Sequence, residues 1–294
     1  MRVTVVHNPS AGGAQPRPEA LESALAAAGH EVRWQSLKED GGVQALAEPT
    51  DLVAVAGGDG SVRKVFLALA GTQVPVTLLP VGSANNIARS LGLEDDDPAG
   101  LIRAWEGGRL RPFDIGAISV EGGSHFVESA GGGLFADVLA RAKASPDDPT
   151  GDEKVERGLR LLVDAVTAAE PRAWRVAVDG QETSRELLGV EAMNVRESGP
   201  NVPLAPEADP GDSLLEAVLI RPEHRQAFVD YLEARLGGSD PGAPGFEVLQ
   251  GRRIELGAPA GAQLHVDSKL VAGIPSRAAA STHAQLRVLV PARR

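Results

Sequence analysis

The sequence contains no cysteine. Disulfide bonds, thiolate metal sites and a cysteine nucleophile are therefore excluded. Aromatic residues make up only 3% of the chain, so few side chains can stack on nucleic-acid bases. No apolar run approaches the ~20 residues of a membrane span, and the first residues lack the features of a signal peptide. We therefore expect a cytoplasmic protein without a transmembrane segment.

Basic residues are also in deficit. There are 29 Lys and Arg residues against 40 Asp and Glu residues, which gives a net charge of −11. This charge disfavours nonspecific binding to nucleic acid or to anionic membranes. We expect no nucleic-acid partner, and any peripheral contact with a membrane must be local. The length of 294 residues is enough for two domains, and the sequence leaves a homodimer open.

The stretch at 52–56 is apolar and uncharged, which is typical of a parallel strand buried on both faces. It is followed by Gly57, Gly58, Asp59, Gly60 and Ser61. From Val62 onward, apolar residues recur at helical spacing, and Ser61 is the expected N-cap. An Asp-Gly pair alone would also suit a type I′ hairpin turn, but the helical period argues against a hairpin. The pattern predicts a strand, a glycine loop and a helix.

This loop has the features of a phosphate site. Glycines let the backbone approach a ligand, and the N–H groups of a helix start favour anions. In a doubly wound sheet, ligands bind outside the carboxyl ends of the strands. Asp59 would repel a phosphate directly, so we predict that its side chain holds a divalent cation or takes a proton.

Two other predicted strands end in similar loops. Residues 2–7 are followed by small residues and glycines at 8–13, and residues 76–79 are followed by Pro80 to Arg89. Ser83 is the expected cap of the next helix. Capping alone does not require the adjacent Asn85 and Asn86, because Asn is a poor helix former. Their amides can donate and accept, which suits a ribose, a phosphate or a substrate hydroxyl.

The order of the elements indicates two domains. Strands and helices alternate up to about residue 112, which predicts a doubly wound parallel α/β domain over 1–112. Short strands separated by turn residues then predict a β-sandwich-like domain over 113–294. Within it, 143–157 is predicted to be a surface loop and 159–166 a helix. The acidic run at 94–97 is interpreted as a helix start, and 42–47 as a short helix.

The chain resembles the diacylglycerol kinase catalytic superfamily of bacterial soluble lipid kinases and sphingosine kinases. The motifs that carry the resemblance are Asn8-Pro9-Ser10-Ala11-Gly12-Gly13, Gly57-Gly58-Asp59-Gly60-Ser61, Pro80-Val81-Gly82-Ser83-Ala84-Asn85-Asn86, Leu204-Ala205-Pro206, Asp212-Ser213-Leu214-Leu215-Glu216 and Val266-Asp267. Their order and spacing match over nearly the whole chain. The resemblance implies an N-terminal domain similar to NAD kinase and phosphofructokinase, a β-sandwich C-terminal domain, and an ATP site in the cleft between them.

The resemblance also implies roles for residues. The implied nucleotide-binding residues are Asn8, Ser10, Gly12, Gly13, Gly57, Gly58, Gly60, Ser61, Gly82, Ser83 and Asn85. Asp59, Asp212 and Glu216 are the implied Mg²⁺ ligands, and Asp59 and Asp267 the implied catalytic residues, with Asp267 as general base. Phosphoryl transfer needs positioning, a bridging cation and a carboxylate that orients the hydroxyl. The implied activity is transfer of the γ-phosphoryl group of ATP to a diacylglycerol-like or sphingoid lipid at a membrane surface.

Three positions depart from the family pattern. Asn86 stands where many members have Asp, Ser213 where they have Gly, and Lys269 where they have Glu. Lys269 either pairs with a phosphate or removes a metal contact. Two alternatives therefore stay open: an NAD kinase-like metabolite kinase, and a nucleotide- or lipid-binding homologue with weak or no catalysis. His7 and His265 lie near strand ends and are interpreted as structural residues.

Overall fold

A computed structural model describes residues 1–8, 18–38, 46, 50–93, 97–120, 124–145, 149, 151–271 and 277–291. The chain divides into two compact units, Met1–Ile115 with Ala284–Arg294, and Gly116–His283. The helices are α1 (Pro18–Ala27), α2 (Asp59–Leu69), α3 (Asn86–Ser90), α4 (Pro98–Ala104), α5 (Leu134–Ala144), α6 (Gly151–Ala168) and α7 (Arg225–Leu236), with 3-10 helices at Trp105–Gly107 and Pro222–His224.

The strands of the first half are β1 (Arg2–His7), β2 (Glu31–Ser36), β3 (Leu52–Gly57), β4 (Val76–Pro80), β5 (Arg109–Ile118), β6 (Ser124–Phe126) and β7 (Ser129–Gly133). Those that follow are β8 (Arg172–Val178), β9 (Gln181–Leu187), β10 (Gly189–Met193), β11 (Glu197–Ser198), β12 (Val202–Pro203), β13 (Leu215–Ile220), β14 (Glu247–Gly251), β15 (Arg253–Gly257), β16 (Leu264–Val266), β17 (Lys269–Leu270) and β18 (Ala278–Val290).

The first unit is built on a parallel sheet with the order β2-β1-β3-β4, followed by the C-terminal part of β18. Strand β3 is buried at every position, as its apolar sequence predicts. In α2 the residues at helical spacing are buried, and Phe66 packs edge-on against Phe113 of β5 with ring centroids 5.0 Å apart. Each large apolar side chain buried in this way stabilises the fold by roughly 1.5–3 kcal/mol.

The second unit contains an antiparallel sheet, which we call the helix-covered sheet, with the order β14-β13-β10-β7-β16-β17. Its residues alternate between two cores. Val190, Ala192 and Leu215 pack with Trp174 of β8 and Leu256 of β15, which belong to the opposite sheet. The other face carries Met193, Val218 and Ile220, which pack with residues of α5, α6 and α7. A sheet buried on both faces therefore forms the centre of this unit.

These two units confirm the predicted fold class, an N-terminal α/β domain and a β-sandwich-like domain. The domain boundary near residue 112 stays a prediction; the compact units separate between 115 and 116, and the segment from Ala284 belongs with the first. No helix in the described part of the chain is long and apolar enough to span a membrane.

Several local predictions were wrong. The loop predicted over 143–157 overlaps α5 and the first two turns of α6. Helices α5 and α7 were not predicted. In α7 only Phe228, Tyr231 and Leu232 are buried, and charged residues between them hide the helical period. The predicted short helix at 42–47 lies outside the described residues except for Leu46, and so does 94–96 of the acidic run. Asp97 caps α4 by accepting the N–H of Gly100 at 2.9 Å.

Candidate active site

The carboxyl ends of β1, β3 and β4 lie at one edge of the parallel sheet of the first unit. The register pairs His7 of β1 with Ala56 of β3, and Gly57 of β3 with Pro80 of β4, so the carboxyl ends of these strands are side by side. The N–H of Asn8 donates to the carbonyl of Ala56, and that of Val81 donates to Gly57, each at 3.4 Å. The sheet therefore brings together Asn8, the loop after β3 and the loop after β4. Ser10, Gly12 and Gly13 lie outside the described residues.

Gly58 and Gly82 bring two of these loops into backbone contact. A Cβ atom at Gly82 would lie 2.3 Å from the Cα of Gly58, so no other residue fits there without movement. Asn85 fixes the second loop, because its Oδ1 accepts the N–H of Gly82 at 3.0 Å and its Nδ2 donates to the Gly82 carbonyl at 2.8 Å. The Asn85 amide, predicted as a nucleotide ligand, thus holds the loop. By contrast, a Cβ at Gly60 would meet nothing within 4 Å.

Asp59 is the first residue of α2, and its Oδ1 accepts the N–H of Ile87 in α3 at 3.0 Å. Burial raises the pKa of Asp59, although hydrogen bonds from the N–H groups of Ile87, Asn86, Asp59 and Asn85 oppose this shift. The carboxylate therefore lies where two helix starts meet, and both starts favour negative charge.

The predicted N-caps are wrong at both helices. Helix α2 begins at Asp59 with Gly58 as N-cap, and Ser61 is buried with its N–H donating to the Gly58 carbonyl at 2.9 Å. The absence of a side chain at Gly57 makes room for Ser61, because a Cβ there would lie 2.6 Å from the Ser61 Cβ. Helix α3 begins at Asn86, and its N-cap is Asn85 at φ 55°, not Ser83. Asn tolerates this left-handed conformation better than most residues.

In the second unit, Asp267 lies in the turn between β16 and β17 at φ 48°. Its Oδ1 accepts the backbone N–H groups of Val127, Glu128 and Ser129 at 3.1, 2.9 and 3.3 Å. Its own N–H donates to the carbonyl of Ser129 at 2.8 Å. Charge-assisted hydrogen bonds of this kind fix the position of the carboxylate.

The next acidic pair was also singled out by the sequence. The Nε2 of Gln250 in β14 donates to Asp212 Oδ2 at 3.3 Å and to Glu216 Oε1 at 3.1 Å. Burial raises the pKa of Glu216 to about 7, the charges of Asp212 and Asp209 add to this, and Gln250 opposes it. Two adjacent carboxylates suit a divalent cation. Asp59, the third predicted metal ligand, belongs to the first unit, and nowhere in the described ranges do three or more His, Asp or Glu side chains form a metal-binding group.

The structure describes all three residues that depart from the family pattern. Asn86 is buried at the start of α3, and Ser213 has a φ of 64°, a conformation that glycine adopts more easily. Lys269 is exposed in β17, opposite Val266. The lysine side chain is therefore free of the core.

Two buried carboxylates, Glu191 and Asp114, were not predicted from the sequence. Glu191 in β10 faces His265, whose Nε2 lies 3.0 and 2.9 Å from its two oxygens. Burial lowers the pKa of His265, but the charge and hydrogen bond of Glu191, together with the backbone hydrogen bond and charge of Asp267, outweigh this effect, and the net shift is upward. Asp114 in β5 is buried and accepts the Nε2 of Gln285 at 2.9 Å. At both positions the sequence shows a single carboxylate within an apolar strand. Because a buried charge needs a partner, such a carboxylate indicates a buried polar contact.

His7, the other histidine considered from the sequence, packs edge-on against the ring of Trp34 with centroids 5.6 Å apart. This contact agrees with its interpretation as a structural residue.

Comparison with known proteins matches both halves of the chain. Residues 2–118 match the model of the diacylglycerol kinase catalytic domain, and residues 140–290 match that of the YegS C-terminal NAD kinase beta sandwich-like domain. A diacylglycerol kinase of Mycobacterium tuberculosis is 26% identical over 250 residues, which cover 84% of this chain and 79% of the relative. A probable YegS-like lipid kinase of Pseudomonas aeruginosa is 29% identical over 298 residues, covering 98% and 93%.

Solved structures share the fold. The crystal structure of a diacylglycerol kinase from Bacillus anthracis superposes with a TM-score of 0.69 at 18% identity, covering 98% of this chain and 96% of that one. The two domain models account for nearly all of the sequence in the order that its motifs predict. The chain is therefore a kinase and belongs to the family that joins a diacylglycerol kinase catalytic domain to a YegS-type C-terminal domain.

Proposed function

We propose that the protein transfers the γ-phosphoryl group of ATP, with Mg²⁺, to a hydroxyl of a diacylglycerol-like or sphingoid lipid at a membrane surface. The observation that carries this proposal is that the carboxyl ends of β1, β3 and β4 lie at one sheet edge, with Asp59 among backbone N–H groups, in a chain whose relatives are named diacylglycerol and lipid kinases.

The nucleotide phosphates are assigned to the sheet edge of the first unit. The close contact of Gly58 with Gly82 leaves backbone surface without side chains, and Gly60 is exposed in open space. Such a backbone can approach an anion closely, and the start of α2 favours one electrostatically. Gly57 and Ser61 are buried and shape this loop from below, while Ser83 is partly exposed on the neighbouring loop.

The chemistry of the donor set fits Mg²⁺ bound with a nucleotide. Mg²⁺ commonly takes one or two carboxylates, with substrate phosphates and water completing its shell, so a large protein cluster is not required. Asp59 would supply one carboxylate at the phosphates, and Asp212 and Glu216 would offer a separate pair of carboxylates. When bound, Mg²⁺ neutralises charge that develops on the transferred phosphoryl group.

Asp267 is assigned as the general base on the lipid hydroxyl. Its carboxylate is held by three backbone N–H groups, so it can orient an acceptor without rearranging first. Lys269 is exposed two residues further along the chain, and in this proposal its positive charge pairs with a phosphate of the substrate.

A soluble acceptor is the second candidate, because the model matched by the second domain is described as NAD kinase beta sandwich-like. The two candidates differ in the acceptor and share the nucleotide site. A shared fold does not fix the substrate.

The experiment is a transfer assay with labelled ATP, Mg²⁺ and separate vesicles of diacylglycerol, sphingoid bases and phosphatidylglycerol, with NAD as a soluble arm. We expect a labelled lipid that depends on Mg²⁺ and on Asp267, lost in Asp267→Asn. Labelled NADP with unlabelled lipids would replace the proposal by the second candidate. ATP binding without transfer to any acceptor, while a control kinase works, would contradict both.

Gly60→Ala tests the phosphate assignment without disturbing the fold. The added methyl meets no atom within 4 Å, so stability should not fall. If phosphate approaches this backbone, we expect KM for ATP to rise ~10-fold or more, about the loss of one good contact. An unchanged KM would place the phosphates elsewhere.

A further inference from the structure

We infer that Glu191 and His265 are positioning residues that brace Asp267 from behind, an inference that rests on the proposed role of Asp267. The brace is the set Glu191, His265 and the backbone carbonyl of Asp267, all in the second unit. Neither Glu191 nor His265 reaches the surface, since they are 0% and 2% exposed. They act on Asp267 through its backbone and do not meet the substrate.

A glycine makes the brace possible. Glu191 of β10 and His265 of β16 are both paired with Gly131 of β7, which lies between them. A Cβ at Gly131 would lie 2.4 Å from the Cδ and Oε2 atoms of Glu191. The carboxylate therefore occupies the space of the absent side chain and reaches across a whole strand to His265.

The hydrogen bonds orient the imidazole from both sides. His265 Nδ1 lies 2.9 Å from the carbonyl oxygen of Asp267, and a carbonyl only accepts, so Nδ1 carries the proton and donates. The opposite nitrogen, Nε2, faces the carboxylate of Glu191. A carboxylate behind a histidine commonly fixes the ring orientation in this way.

The bond to the carbonyl acts on a strained turn. Asp267 has a φ of 48°, a conformation that costs a non-glycine residue of the order of 1–2 kcal/mol. The same residue must place its carboxylate on the N–H groups of Val127, Glu128 and Ser129. Holding the carbonyl at the other side of the residue reduces its freedom to turn away.

A contribution to stability does not explain why Glu191 and His265 form a buried ion pair here. Replacing a buried ion pair by apolar residues of similar volume is often neutral or stabilising. An apolar pair would also suit the surroundings, because Met193 on the same face of β10 packs in the core under the helices. What an apolar pair cannot supply is a donor to the Asp267 carbonyl.

The test uses the full chain and a double variant, Glu191→Met with His265→Leu, which removes both buried polar groups together. A second variant, Glu191→Met with His265→Asn, restores an N–H donor near the position of Nδ1. Amide hydrogen exchange of Val127 to Ser129 reports the Asp267 contact, with the amides of β13 as the internal reference. Lipid transfer is measured on the same proteins, with Asp267→Asn as the catalytic control.

In the double variant we expect exchange at 127–129 to rise ~10-fold or more while β13 stays protected, as for a local opening. The kcat of lipid transfer should fall ~10-fold or more with KM for ATP unchanged, because a small misplacement of a reacting group is costly. The His265→Asn form should recover both. Unchanged exchange, or faster exchange with unchanged kcat, overturns the inference. If Asp267→Asn is itself fully active, the proposed function has failed, and the exchange data still decide whether the brace exists.

Discussion

Replacing Asp59 by Asn or by Ala separates the two roles that its carboxylate has at the sheet edge. In Asp59→Asn the negative charge is lost, but an oxygen remains that can accept the N–H of Ile87. In Asp59→Ala both the charge and the acceptor are lost. A cap of helix α3 requires only the acceptor, whereas binding of Mg²⁺ and phosphates requires the charge.

The structure sets the expected stabilities. Asp59→Asn disturbs no core contact and keeps the acceptor, so at low pH, where the Asp59 carboxyl is protonated, its free energy of unfolding should stay within about 1 kcal/mol of the wild type. Asp59→Ala leaves the N–H groups at the start of α3 without this acceptor, which costs ~1 kcal/mol, as for other lost caps. Unfolding in urea at one pH measures both values.

The pH dependence has a definite sign. Burial raises the pKa of Asp59 above its ordinary value of 3.8, so the folded state binds the proton more tightly than the unfolded state does. The wild type is therefore favoured at low pH and loses stability as pH rises through the ordinary value toward the raised one. Asp59→Asn has no such group, and its stability relative to the wild type should increase over this range.

Activity decides between the roles. If Asp59 organises the metal and the phosphates, lipid transfer by Asp59→Asn should fall ~100-fold or more, as for lost stabilisation of transition-state charge. Initial rates with labelled ATP and vesicles measure this effect. Nearly full activity in Asp59→Asn, with a loss only in Asp59→Ala, would show that the residue is a structural cap and would refute the reasoning.

Three further substitutions test other parts of the structure. Because the pKa of Glu216 is raised to about 7, the wild type should lose stability as pH rises from about 4.5 to about 7, and Glu216→Gln should not. In denaturant titrations, the free energy of unfolding of Glu216→Gln should exceed that of the wild type by up to ~3 kcal/mol at pH 8 and should equal it at pH 4. Ser213→Gly removes the backbone strain of a φ of 64° but raises the conformational entropy of the unfolded chain. Thermal unfolding should therefore show a net increase of ~0.5 kcal/mol in the free energy of unfolding, which Ser213→Ala should not reproduce. In Gly82→Ala the new Cβ would lie 2.3 Å from the Cα of Gly58, so the loop must move, and the free energy of unfolding should fall by ~1–3 kcal/mol. The control Gly60→Ala adds a methyl group in open space and should not lower the melting temperature. A tolerated Gly82→Ala would contradict the close loop contact.

The fold class and the place of the loops after β3 and β4 could be predicted from the sequence because their signals are local. The apolar run at 52–56 and the helical spacing from Val62 define a buried strand and a helix without reference to the rest of the chain. Parallel strands then bring their carboxyl ends to one edge, so the ends of β1, β3 and β4 had to be neighbours. The position of Gly58 and Asp59 at this edge was predicted in this way, and their role at the site stays a prediction.

The tertiary structure decided what depends on pairing across strands. Both predicted N-caps were wrong. Ser61 is packed against Gly57, which has no side chain, and Asn85 in a left-handed conformation is the N-cap of α3. The sequence predicted a strand over 286–290, but only the register places β18 beside β4, with Val288 opposite Val76.

The brace behind Asp267 shows the limit most clearly. Glu191 and His265 are 74 residues apart in the chain, and only the pairing of β10 and β16 on either side of Gly131 brings them together. Hydrophobic periodicity tells which face of a strand is buried, and it carries no information on which distant strand lies alongside. The buried charge of Glu191 acquires a partner, and the carbonyl of Asp267 acquires a donor, only when that register forms.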